Sequence, residues 1–131
     1  MTGTDQAVGT APRRQAVLFG IGASRGVGRS GAVVVRSRKD LARVGADNIL
    51  VVDVLPQDWA TAIPACRAVV TQTGGLLQFS ARVLRHRGIP AVVGVAGVLA
   101  EVEDGDEVEV DGSTGIVRVQ LGSHRPSPRV A

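Results

Sequence analysis

An α/β domain of about seven short strands and three or four helices is what this sequence predicts, and three features carry the prediction. Two apolar runs, Asn48 to Val54 and Ala91 to Val95, are nearly continuous, as strands buried on both faces are. Glu107-Val108-Glu109-Val110 alternates with period two, and a turn at Asp111-Gly112-Ser113-Thr114-Gly115 leads into Ile116 to Val119, which makes a hairpin. Between the apolar runs, helix-compatible sequence follows Gly74-Gly75 and is stopped by Gly88-Ile89-Pro90. A chain of 131 residues is expected to form one domain.

The elements follow in order. Residues 1–14 are small and polar, with a basic pair at Arg13-Arg14, and predict a flexible leader. Gln15 to Ile21 is the first apolar run and a predicted strand. Gly22-Ala23-Ser24-Arg25-Gly26-Val27-Gly28 then has the look of a dinucleotide phosphate loop, but its context refuses that reading. A β-branched strand, Ala32 to Val35, stands where the helix should begin, and the chain has no Tyr for a short-chain dehydrogenase. These glycines are expected to connect two strands tightly. Ser37 to Val44 reads as a short helix with Ser37 as N-cap, ended by Gly45. Leu55-Pro56-Gln57-Asp58-Trp59 turns into another, reaching Ile63, and Arg67 to Val70 is a short strand. The acidic stretch from Glu101 to Asp111 reads as a solvated edge strand with an acidic turn at Asp104-Gly105-Asp106, not as a metal site. The domain spans 15–121, and 122–131, with two Pro, predict a flexible tail.

Composition narrows the function. The formal charge is +3, with 14 Arg and one Lys, and no basic block exceeds two residues. With no Tyr, two Phe and one Trp, base stacking is nearly unavailable, so nucleic acid is not expected as a partner. One cysteine, Cys66, excludes an intrachain disulfide and any multi-cysteine metal site, and reads as a core or near-core thiol. No apolar stretch is long enough to span a membrane, and the N-terminus lacks a hydrophobic signal core, which together predict a cytoplasmic protein.

The stretch from Thr71 to Pro90 is the chemical centre of the sequence. A helix opening at a Gly-Gly turn presents free backbone N–H groups and its positive dipole end, an arrangement suited to an anion. Thr71, Gly74, Gly75, Leu76, Leu77, Ala81, Val83, Arg85, Gly88, Ile89, Pro90, Ala91, Val92, Val93 and Gly94 fall without a gap on one motif. It is Thr-x-x-Gly-Gly followed by the phosphohistidine helix and Gly-Ile-Pro-Ala-Val-Val-Gly. Gly20 with Ala23-Ser24-Arg25-Gly26 matches that family's Gly-x-x-Ala-Ser-Pro-Gly, with Arg25 where proline is usual. Asp104-Gly105-Asp106 through Gly115-Ile116-Val117 matches its closing segment. The chain thus resembles the phosphohistidine swivelling (mobile) domain of phosphoenolpyruvate-utilising enzymes over residues 16 to 120. That group includes pyruvate phosphate dikinase, phosphoenolpyruvate synthase and rifampicin phosphotransferase. The resemblance implies a swivelling β/β/α three-layer fold.

The family's reaction uses a histidine that accepts a phosphoryl group and carries it between distant sites. At that position the resemblance places Phe79, after Gln78 and before Ser80. A phenyl ring has no nucleophilic lone pair, so the family's phosphotransfer is expected to be absent here. Two substitutes are weak. His86 returns to within about 20° of Phe79's helix face but lies about 10 Å further along, at the end whose dipole repels anions. Ser80 carries a hydroxyl on another face. The expected ligand- or partner-binding set is Ser24, Arg25, Thr71, Thr73, Gly74, Gly75, Gln78, Phe79, Ser80 and Arg82, with no metal and no cofactor.

Three functions compete. The first is a stand-alone, non-phosphorylatable homologue that acts as a binding or auxiliary subunit. Its partner is a separate ATP-grasp or phosphoenolpyruvate-binding subunit, or another copy of itself. The second is a swivelling domain repurposed as a small enzyme or enzyme subunit of lyase, dehydratase or cyclase type, with a small-molecule ligand. The third is a phosphocarrier that uses another residue.

Overall fold

A single residue, Gly20, separates β1 (Arg14–Phe19) from β2 (Ile21–Ser24), yet these strands lie at opposite ends of one hydrogen-bonded sheet. The computed structural model describes residues 14–60, 62–74 and 78–121. Among them are eight strands in the order β1-β8-β7-β3-β4-β5-β6-β2. The remaining strands are β3 (Val27–Val35), β4 (Asn48–Val52), β5 (Ala68–Thr71), β6 (Ala91–Val93), β7 (Glu107–Asp111) and β8 (Ile116–Leu121). A flat sheet of this size would put its edges roughly 34 Å apart, far beyond the reach of one residue. The sheet therefore doubles back on itself.

The fold line is β3. Its first half, Val27–Gly31, pairs antiparallel with β7, and its second half, Gly31–Val35, pairs parallel with β4. Gly31 belongs to both pairings. The burial of β3 changes at the same place, from alternating to continuous. The result is two sheet layers. One holds β1, β8, β7 and the start of β3; the other holds the end of β3 with β4, β5, β6 and β2.

Between these layers lies one core, including Val34, Ile49, Val51, Val70, Val92, Val108 and Val117. A second core, including Val35, Leu50, Val52, Val69, Leu84 and Ile89, lies between the inner sheet and the helices. Alternate residues of β4 thus enter different cores, so its sequence is apolar throughout. This is the three-layer β/β/α arrangement.

Three α-helices and one 3-10 helix complete the described fold. The 3-10 helix covers Arg38–Arg43, with Ser37 at its N-cap in an extended conformation. Asp40 turns back to accept hydrogen bonds from the N–H groups of Arg36 and Ser37, at 2.9 and 3.2 Å. α1 (Gln57–Ala60) and α3 (Val98–Glu101) are single turns. α2 (Gln78–His86) is the longest helix and buries Ala81 and Leu84. It ends in a Schellman arrangement. Gly88 takes φ +71°, its N–H donates to Arg85 O at 3.1 Å, and the Ile89 N–H donates to Leu84 O at 2.9 Å.

The structure differs from the sequence reading in two strand assignments. The first predicted strand, Gln15–Ile21, is broken at Gly20, and the glycine-rich stretch beyond it is itself β2 and the start of β3. This raises the strand count to eight. The break is steric. A Cβ on Gly20 would lie 2.5 Å from Val93 O, and the Gly20 N–H bonds Gly115 O at 2.8 Å. The acidic strand, expected at an edge, is instead interior, with β3 on one side and β8 on the other. Its Val residues face the core while Glu107 and Glu109 pair with Arg29 and Arg118. Period two is common to any strand with one wet face, so it cannot separate an edge from an interior position. The predicted leader lies outside the described residues except for Arg14, which begins β1, and the tail at 122–131 lies wholly outside them.

Candidate functional site

The C-terminal end of β5 and the turn into α2 are held by short-range hydrogen bonds. Thr71 is buried; its Oγ1 donates to Thr73 O and accepts from the Gly94 N–H, both at 3.4 Å. Thr73 is exposed, its hydroxyl donates to Asp53 Oδ1, and its N–H donates to Asp53 O at 2.9 Å. Gln72 Oε1 accepts from the Leu99 N–H at 3.0 Å and ties the turn to α3. Gly74 takes φ +26°, with nothing within 4 Å of where a Cβ would stand. This open glycine leads to the first turn of α2, which is Gln78, Phe79 and Ser80. Gly75 lies outside the described residues, as do Leu76 and Leu77.

Ser80 differs from its sequence expectation in setting. It is fully buried, and its Oγ has no hydrogen-bond partner. As α2 is placed, that hydroxyl faces the interior and not solvent. His86 is exposed on the last turn, and His124 lies outside the described residues.

Two clefts flank α2. One, of about 540 Å³, is lined by Ile63, Arg82, Val83, His86 and Arg87, and the Arg87 guanidinium donates to Ile63 O at 2.8 Å. The other, of about 710 Å³, lies where β2 meets the β7–β8 turn and the end of α2. It is lined by Gly22, Ala23, Ser24, Arg25, Arg85, Gly88, Gly112 and Ser113. The structure therefore separates the predicted site residues. Thr71, Thr73 and Gly74 share one turn, Arg82 enters the first cleft, and Ser24 and Arg25 enter the second.

Sequence reasoning missed Arg85, Gly112 and Ser113 as neighbours of Ser24 and Arg25. Arg85 was visible only as a motif position. Its Nε donates to Ala23 O at 2.9 Å, a contact across 62 residues that no local pattern encodes. Cys66 is half-buried, and burial pushes its thiol up to about 11, while Arg87 pulls weakly the other way. It is therefore protonated and poorly nucleophilic at neutral pH. Among the described residues no three His, Cys, Asp or Glu side chains are placed to hold a metal ion, and no helix is long and apolar enough to cross a membrane.

The doubled sheet, with a nine-residue helix packed beyond a glycine turn, defines an α/β module of the mobile-domain class. The chain belongs to the family of the PEP-utilising enzyme mobile domain, whose model matches residues 44–115. It is 32% identical over 102 residues to the uncharacterized phosphotransferase YvkC of Bacillus subtilis, covering 78% of this chain and 12% of that protein. It is 36% identical over 118 residues to a probable phosphoenolpyruvate synthase of Archaeoglobus fulgidus, covering 88% of this chain and 16% of the relative. The chain thus spans a small fraction of these relatives' length. Among solved structures, Thermococcus kodakaraensis aconitase X shares the fold, with a TM-score of 0.60 at 17% identity over 79% of this chain and 98% of that one. Enzyme I (nEIt) matches with a TM-score of 0.51 at 32% identity, over 55% of this chain and 30% of that chain.

Proposed function

We propose that this chain is a mobile-domain homologue that does not accept a phosphoryl group and that serves as a binding or auxiliary subunit. The observation that carries the reading is Phe79 in the first turn of α2, five residues beyond Gly74, where the family motif has its histidine. The gapless register of Thr71, Gly74, Arg85 and Gly88–Gly94 around it supports the placement. No environment can turn a phenyl ring into a phosphoryl acceptor.

The alternatives at other residues fare less well. Ser80 is buried against the fold, and a phosphoserine there would require α2 to move. His86 is exposed, but at the end of the helix where the dipole disfavours an added dianion.

The reading implies a partner that supplies the ATP-grasp or phosphoenolpyruvate-binding portion, or a second copy of the chain. Sedimentation of the chain, alone and mixed with those portions of the Archaeoglobus fulgidus relative, tests this. A stable complex or a self-associated species is expected. A monomer that ignores every such portion contradicts the auxiliary role.

A further inference from the structure

The larger cleft is built from three segments distant in sequence, and its charge is unbalanced. Arg25 and Arg85 stand in its wall, and among the described residues neither faces a carboxylate within ion-pair distance. Arg29, Arg38, Arg43, Arg67 and Arg118, by contrast, each pair with an Asp or Glu. The nearest acid in sequence is Asp111, which precedes the wall residue Gly112. Its Oδ1 is engaged in the hairpin turn, accepting from the N–H groups of Ser113 at 2.9 Å and Thr114 at 3.3 Å.

Arg85 is also pre-oriented. Its Nε is held on Ala23 O, which fixes the plane of the guanidinium while the terminal nitrogens keep their donors. Ser24, only 4% exposed, adds a hydroxyl to the same wall. The glycines have a separate explanation. A Cβ on Gly112 would lie 1.7 Å from Ser24 O and one on Gly22 would lie 2.1 Å from Gly112 O, so they are needed for β2 to pack on the hairpin turn. Arg85 is tied to the fold through the Nε bond to Ala23 O, and its other donors are left for the cleft. The α2 C-terminus contributes roughly half a negative charge at this end, against two full positive charges.

We infer that this cleft binds the oxyanion group of a small molecule, a carboxylate or a phosphoryl group, gripped between Arg25 and Arg85 with Ser24 as a further donor. Its volume of about 710 Å³ leaves room for the rest of a metabolite-sized ligand. The site does not involve position 79, so it stands whether or not Phe79 is inert.

Arginine Nε–Hε resonances provide the test, with inorganic phosphate and malonate as probes and sodium chloride at matched ionic strength as control. The Arg85 signal is expected to shift saturably with at least one probe, with Kd near or below about 1 mM. Arg25→Ala, an exposed position, is expected to weaken binding about tenfold or more and Arg38→Ala, exposed on the 3-10 helix, to leave it unchanged. Preference for phosphate or for malonate identifies which oxyanion the cleft takes, and either supports the inference. A non-saturating shift no different from that with chloride overturns it, as does unchanged affinity in Arg25→Ala.

Discussion

Cys66 reports burial by its protonation. A thiol raised from 9.0 to about 11 keeps its proton in the folded chain at pH values where the unfolded chain has lost it. The stabilisation is therefore complete below about pH 9 and is lost as pH rises through about 11. Denaturant titrations across this window are expected to show falling stability, and Cys66→Ser is expected to flatten the fall. With no Tyr and one Lys in the chain, few other groups titrate there to obscure the slope. The glycines give a second residue-level prediction. Gly112→Ala inserts a methyl group where Ser24 O already stands and is expected to cost about 3 kcal/mol or to prevent folding. Gly88→Ala meets open space, so only its left-handed backbone is penalised, by about 1 kcal/mol in thermal or chemical unfolding. None of these close approaches was legible in the sequence. Gly22 and Gly112 look there like ordinary turn residues, because the requirement at Gly22 comes from the Gly112 carbonyl and that at Gly112 from the Ser24 carbonyl.

At the scale of elements, α2 shows what the sequence could and could not specify. Its end was readable from Gly88-Ile89-Pro90, since glycine at C′ followed by proline leaves a helix no continuation. Its buried face is readable in part, since Ala81 and Leu84, three residues apart, share one side of the helix, and both are buried. Ser80 was not, because a helical wheel shows relative angle and not how far the neighbouring sheet wraps around the helix. Leu84→Ala is expected to cost about 3 kcal/mol, since the side chain is fully enclosed, whereas Arg82→Ala should change stability by less than about 0.5 kcal/mol. Guanidinium unfolding of the two variants checks both. The strands follow the same logic. β4 was legible because both its faces are covered, while the edge or interior place of β7 depended on where β3 bends, at a glycine shared by two pairings.

For the molecule as a whole, the doubled sheet concentrates stability in its middle. Ile49, Leu50 and Val51 in β4 and Val69 and Val70 in β5 are buried and paired on both sides, whereas among the described residues β1 and β2 stand at the two ends of the sheet. Amide hydrogen exchange is expected to be slowest at β4 and β5 and markedly faster along β1 and β2. The layered fold and the family were legible because the motif runs unbroken across β5, α2 and β6. The second cleft was not, since Arg25, Arg85 and Ser113 meet only after the sheet has folded over. The central claim remains the chemistry at position 79. It is tested most directly by intact mass, after incubation with the ATP- and phosphoenolpyruvate-binding portions of the Archaeoglobus fulgidus relative and their substrates. That relative's own mobile domain serves as the labelled control. The account predicts that the control and Phe79→His each gain one acid-labile phosphoryl group and that the unaltered chain gains none. A phosphoryl group on the unaltered chain would contradict it.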